Sequence, residues 1–172
     1  MIGLEGKTLR SERLRYRLLE DADKCALWAL LSDPAVAEPA GFEPAKTQAE
    51  FDKFFTELTQ YHTAIGVFPE KTLIGYIHVN RYRPGGKYAD KSCVSTGFAI
   101  GSAYQGHGYG TEMLRTVTAY LKSKFDFCFA DHFLDNEASH RVIAKCGYAY
   151  CDEYSMYYEK LAKTLTCKSF VF

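Results

Sequence analysis

Hydrophobic and polar positions follow two different periods along this chain. Leu14, Tyr16 and Leu18 alternate with Arg13, Arg15 and Arg17, the two-residue period of a half-buried strand. From Glu20 to Leu31 the period lengthens, with Ala22, Cys25, Ala26, Ala29 and Leu30 at helical spacing. Asp33-Pro34 stops that helix, because the residue before a proline is pushed out of helical geometry. Glu38 to Pro44, containing Pro39 and Gly41, reads as an exposed loop. Thr47-Gln48-Ala49-Glu50 has the form of a capping box, in which hydroxyl and carboxylate satisfy each other's free N–H groups. It opens a helix that presents Phe51, Phe54, Phe55 and Leu58.

The β period returns in residues 63–68 and 73–79, which bracket Pro69-Glu70-Lys71 as a hairpin. A longer turn at Arg83-Pro84-Gly85-Gly86-Lys87 leads to a strand from Ser92 to Ile100. Met113, Leu114, Val117, Tyr120 and Leu121 then mark an apolar helical stripe. Phe127 to Ala130 is a short buried strand, and Asn136 to Cys146 a helix with Val142, Ile143 and Cys146 on one face. Gly147 fits the position after that helix, where the backbone turns left-handed. Two last strands are predicted at Tyr148 to Cys151 and Met156 to Leu161. About seven strands and about four helices, without repeat or linker, predict an α+β fold in a single domain spanning 1–172.

Between the strand ending at Ile100 and the next helix lies Gln105-Gly106-His107-Gly108-Tyr109-Gly110-Thr111, with glycine at every second position. Such a loop can aim several free N–H groups at one point, and the positive end of the helix dipole lies there too. The matching guest is an anion, above all a phosphate or pyrophosphate. The bland alternative is a tight turn that needs positive φ and binds nothing. Two phosphate motifs fail on spacing. A Walker loop requires Lys-Ser/Thr after its last glycine, whereas Gly110 precedes Thr111-Glu112. A dinucleotide fingerprint requires glycine or alanine where Thr111 stands, inside a parallel βαβ unit.

Composition narrows the field. Twenty-one basic and twenty-one acidic residues cancel, which provides no overall field for nucleic acid or an anionic membrane. The six cysteines show no C-x-x-C pair, so they read as reduced, mostly buried thiols of a cytoplasmic protein rather than as metal ligands or disulfides. No apolar run is long enough to span a bilayer, and the N-terminus lacks a signal-peptide core.

The run Phe98-Ala99-Ile100, a four-residue spacer and then Gln105 to Glu112 resembles the Gln/Arg-x-x-Gly-x-Gly/Ala signature of the GNAT superfamily of N-acetyltransferases. Arg10-Ser11-Glu12-Arg13-Leu14-Arg15, Leu31-Ser32-Asp33-Pro34, Leu73-Ile74-Gly75 and the stretch from Asn136 to Tyr148 resemble its ribosomal-protein-alanine N-acetyltransferase branch, in family order. The resemblance implies a mixed, mostly antiparallel sheet that splays open near Ile100, with acetyl-CoA as co-substrate and no metal. Phe98, Ala99 and Ile100 would then hold the pantetheine arm by backbone pairing. Gln105, Gly106, His107, Gly108, Tyr109, Gly110 and Thr111 would cradle the pyrophosphate.

The same resemblance places Asn136 and Ser139 beside the thioester sulfur, with Ser139 as candidate proton donor to the departing thiolate. It also shows two departures. Many relatives have a tyrosine seven residues past the asparagine, where this chain has Ile143. Many carry a glutamate before the Gly-Phe of the splayed strand, where this chain has Thr96, which cannot act as a base at neutral pH. A water chain held by Thr96 and Ser95, or the carboxylate of Glu43, stands as a substitute base. His107 reads as a residue near phosphate or solvent, and His78 as a core histidine or a residue of the cleft. The implied partner is an amine, either a small molecule or a protein N-terminus, acted on by a monomer or homodimer. A non-catalytic acyl-CoA-binding module is the alternative of another class.

Overall fold

The computed structural model describes residues 2–158 and 162–172. Among them, one eight-stranded sheet is flanked by five α-helices. In chain order the elements are β1 (Leu9–Arg10), β2 (Arg15–Leu18), α1 (Lys24–Leu31), α2 (Pro34–Ala40), α3 (Gln48–Tyr61), β3 (Thr63–Phe68), β4 (Gly75–Tyr82) and β5 (Cys93–Ile100). There follow α4 (Tyr109–Lys122), β6 (Phe127–Phe133), α5 (Glu137–Lys145), β7 (Ala149–Tyr158) and β8 (Lys163–Val171). The strands lie in the order β1-β2-β3-β4-β5-β6-β8-β7, with β5–β6 the single parallel pair among the described residues.

Period-two alternation builds two cores, one on each face of the sheet. Ile65, Ile77 and Val94 point toward Met113, Leu114, Val117 and Leu121 of α4 and Ile143 of α5. On the same strands Ala64, Tyr76 and Ala99 point the other way, against Leu27, Leu30, Phe51 and Phe55 of α1 and α3. Each apolar side chain of this size contributes about 2 kcal/mol on burial, so both faces hold the sheet firmly.

Several expectations change. Pro34 starts a helix as well as ending one: Asp33 caps α2 by accepting from the Ala35 N–H at 2.9 Å, and proline at the first helical position has no N–H to waste. The expected loop from Glu38 therefore begins inside α2, which closes at Gly41. Thr47 caps α3 by accepting from the Glu50 N–H, but the Glu50 carboxylate turns back to the Lys46 N–H, so the box is only half formed. The strands expected at Tyr148–Cys151 and Met156–Leu161 merge into the ten-residue β7, although residues 159–161 lie outside the described residues. β8 carried no clear sequence signal. Lys163, Thr164, Thr166 and Lys168 dilute its alternation, and pairing with β6 and β7 supplies what the pattern lacks.

The decisive feature is where β5 and β6 part. Their register runs Cys93↔Phe127 to Thr96↔Ala130 and stops. Beyond it, β5 continues along β4 to Ile100, while β6 continues along β8 to Phe133. The sheet forks between Gly97 and Asp131.

Candidate active site

Two cavities, each of about 350 Å³, open on either side of that fork. The first runs from the β5 edge along the glycine loop to α5. It is lined by eleven of the twelve sequence-predicted positions: Phe98, Ala99, Ile100, Gln105, Gly106, Gly108, Tyr109, Gly110, Thr111, Asn136 and Ser139. His107 is the exception; it is exposed, and its ring Nδ1 lies 2.8 Å from the Gln105 carbonyl.

The loop backbone is poised for an anion. Gly106 and Gly108 have φ of 78° and 80°, left-handed values that cost an L-residue about 1–2 kcal/mol. The first helical bond of α4 runs from the Glu112 N–H to the Gly108 carbonyl at 3.0 Å. Among the described residues, none of the N–H groups of residues 106 to 111 has a protein acceptor. The loop is held from outside. Arg13 Nη1 donates to the His107 carbonyl at 3.0 Å, and Arg13 Nε and Nη2 each reach Glu112 Oε2 at 2.7 Å. Ser11 Oγ and the Arg13 N–H donate to Glu112 Oε1 at 2.6 and 2.9 Å. Burial alone would raise the Glu112 carboxyl, but the hydrogen bonds from Ser11 and Arg13 outweigh it and hold it below its ordinary value. Sequence reading missed this clamp, because its partners are about a hundred residues apart.

Asn136 and Ser139 sit at the head of α5. Asn136 Oδ1 caps the helix by accepting from the Ser139 N–H at 3.0 Å, and its Nδ2 donates to the Pro39 carbonyl at 2.8 Å, tying α5 to α2. Ser139 Oγ makes no bond back to the helix among the described residues, so its hydroxyl is available. The Ile100 carbonyl is already engaged, taking a hydrogen bond from Gln105 Nε2 at 2.9 Å.

The second cavity lies across β5, toward β6 and the β7–β8 ribbon. It shares Pro39, Ala40, Phe98, Ala99, Asn136 and Ser139 with the first. Its own wall includes His78, Asn80, Asp131, Tyr154 and Tyr158. Asp131 is the first residue of β6 past the fork, and Tyr154 donates to its Oδ2 at 3.0 Å. Burial, followed by the Asp131 charge, pushes the Tyr154 phenol far up, so it stays a donor. His78 spans the fork's floor: a Cβ built on Gly97 would lie 2.5 Å from its Cε1. Gly97 is therefore required for the ring to cross there.

The substitute bases weighed from sequence are divided: Ser95 and Thr96 line the second cavity, whereas Glu43 does not. Thr96 Oγ1 is buried and donates to the Phe129 carbonyl at 3.1 Å, a structural bond. Glu43 lines a separate depression beside Trp28 and Phe54 and pairs with Lys46 at 3.9 Å. Cys128 and Cys146 are buried thiols, the former pushed up to about 11 chiefly by burial. Asp131, missed from sequence, had one faint signal: a lone carboxylate inside the apolar run Phe127–Phe133. No three or more His, Cys, Asp or Glu among the described residues are grouped to hold a metal ion. No helix among them is long and apolar enough to cross a membrane.

A family model for the acetyltransferase (GNAT) domain matches residues 13–149. The chain belongs to the GNAT acetyltransferase family. Solved structures agree on the fold. A GNAT-family acetyltransferase from Bacillus anthracis superposes with a TM-score of 0.75 at 20% identity, over 96% of this chain and 97% of that one. A ribosomal-protein-alanine N-acetyltransferase from Brucella melitensis gives 0.68 at 16%, over 91% and 98%. The Salmonella typhimurium protein yncA, solved with its cofactor acetyl-CoA, gives 0.65 at 15%, over 94% of each chain. Among curated proteins no sequence match reaches significance. This acetyltransferase thus shares its overall fold with those structures.

Proposed function

We propose that the protein transfers the acetyl group of acetyl-CoA directly to a primary amine, with the two reactants entering from opposite sides of β5. One observation carries this reading: Phe98, Asn136 and Ser139 belong to both cavities, so a thioester in the first and an amine in the second meet at a shared wall. The free amides of residues 106 to 111 suit the diphosphate, and the unpaired edge of β5 at Phe98 suits the pantetheine arm. Because the Ile100 carbonyl is taken by Gln105, Phe98 carries the arm-holding role.

The chemistry must first free the amine. With a pKa near 10, a primary amine is about one part in a thousand neutral at pH 7, a deficit of about 4 kcal/mol. Asp131 is placed to take the proton at the fork. Protonation neutralises Asp131, whereas it would put an uncompensated charge on His78, whose enclosed ring burial already pushes down to about 4. The neutral nitrogen then attacks the thioester carbon, the C–N bond forms, and a backbone N–H of the opened strand faces the oxyanion. The C–S bond breaks as Ser139 Oγ donates to the sulfur, the nitrogen loses its second proton to solvent to become the amide, and solvent returns a proton to Ser139 while Asp131 gives up the one it took. One proton is released overall. No covalent enzyme intermediate is needed, which leaves the cysteines without a role; four buried reduced thiols suit a cytoplasmic setting.

Free-thiol release from acetyl-CoA, measured over a panel of small amines and N-terminal peptides, tests this. Turnover of at least one class above the rate without protein is expected. CoA binding with no thiol release for any amine would instead favour the non-catalytic binding module.

A further inference from the structure

One short helix walls both cavities. Pro39 and Ala40, in the last turn of α2, line the first and the second, and Ala35 and Val36 extend the same wall into the first. α2 is tied down at both ends. Its capping residue Asp33 accepts from the Ser102 hydroxyl, just past β5. At the other end Asn136 Nδ2 donates to the Pro39 carbonyl at 2.8 Å. Gly41, one residue further on, packs so tightly on the Phe133 ring that an added Cβ would collide with it. The Asn136 carboxamide is therefore spent on two elements. Its oxygen caps α5 through the Ser139 N–H at 3.0 Å, and its nitrogen holds the turn of α2 that reaches the junction of the cavities.

We infer that Asn136 sets the length of acyl chain the site accepts, by fixing α2 where an acetyl methyl fits and a longer chain does not. The inference rests on the acetyl-transfer reading of the same site. A thioester carbon carries three groups in one plane. Three elements border both cavities: α5 with Asn136 and Ser139, β5 with Phe98 and Ala99, and α2 with Pro39 and Ala40. On that reading the sulfur faces Ser139 and the carbonyl oxygen faces the opened edge of β5. The acyl chain is left facing α2, while the amine approaches out of the plane from the second cavity. Each added methylene then meets the Pro39 ring and the Ala40 methyl. Where those groups lie depends on the Pro39 carbonyl staying on Asn136, so the hydrogen bond acts on the very residue that meets the chain. A single methylene changes acceptance by an apolar pocket about 10- to 200-fold. Asn136 is thus a positioning residue, acting through α2 without touching the thioester.

Acetyl-, propionyl- and butyryl-CoA test this. Each is titrated calorimetrically into the protein, with its affinity taken relative to CoA, and each is followed for thiol release over the amine panel. The wild-type protein should prefer acetyl-CoA to butyryl-CoA at least tenfold in affinity and in kcat/KM. Asn136→Ser keeps a capping hydroxyl for α5 but loses the donor to Pro39, and it should erase most of that margin. Ala40→Val should move selectivity the other way, lowering propionyl-CoA against acetyl-CoA at least fivefold. A merely structural loss would weaken all three thioesters alike and leave their ratios unmoved. Should Asn136→Ser not fold, Asn136→Asp decides instead, because it also caps α5 and sets a carboxylate against the Pro39 carbonyl. Equal acceptance of acetyl- and butyryl-CoA by the wild-type protein, or unmoved ratios in the Asn136 variant, overturns the inference. If the binding ratios behave as stated but no amine releases thiol, the transfer reading fails and the inference stands. If thiol is released equally from all three thioesters, the inference fails and the transfer reading stands.

Discussion

The cavities on the two sides of β5 are built in opposite ways. On the donor side one short stretch, residues 105 to 111, supplies most of the polar surface, and it supplies it as backbone. Its shape is locked by Arg13 and Glu112 without help from any guest. On the amine side the groups are side chains from β4, β5, β6, α5, β7 and β8. A preformed backbone cradle suits a ligand every family member shares. Dispersed side chains can change one at a time, which suits the partner that differs. On the proposed reading, preorganisation and selectivity lie on opposite sides of a single strand.

Substitutions on each side can break or sharpen this contrast. The largest effect is expected from Asp131→Asn, which keeps the Tyr154 hydrogen bond but removes the base: kcat should fall about 1,000-fold with CoA affinity unchanged. Steady-state kinetics and a CoA melting series check both halves, and a loss below tenfold would remove Asp131 from the proton path. Next comes a pH effect on stability. The folded His78 value of about 4 lies below its unfolded 6.5, so the unfolded chain binds the extra proton inside that window and stability falls as pH drops through it. The total is about 3 kcal/mol, and urea melts of His78→Phe between pH 4 and 6.5 should show a correspondingly flatter slope.

On the donor side, Gly108→Val forces a branched residue to a φ of 80° beside Arg13. The protein should stay folded while CoA binds about 100-fold more weakly, seen as loss of ligand-induced thermal stabilisation. Unchanged affinity would mean the loop amides do not form the cradle. The smallest effect is expected from Ser139→Ala, about tenfold on kcat with CoA binding kept, because a water can partly replace the hydroxyl. An unaltered kcat under conditions where chemistry limits turnover would clear Ser139 of a role.

The contrast also explains what could be read in advance. The glycine loop, the β5 strand before it and the Asn136 cap are contiguous signals, and each declares its local geometry through positive φ, alternation or a side-chain acceptor. The helices α3, α4 and α5 announced themselves by apolar stripes that do face the two cores. Less legible were α2, whose Pro34 signals both an end and a start, and β8, whose pattern is diluted by polar residues. The role proposed for Asp131 was not legible, since a carboxylate in a strand gains meaning only when the neighbouring strand leaves it.

By itself the sequence determined the periods, the caps and the anion-ready loop, because those depend on residues within a few positions of one another. Tertiary structure decided where β5 and β6 separate and which side chains face the gap. Those outcomes depend on pairing between residues tens of positions apart, and side-chain alternation cannot specify where such pairing stops.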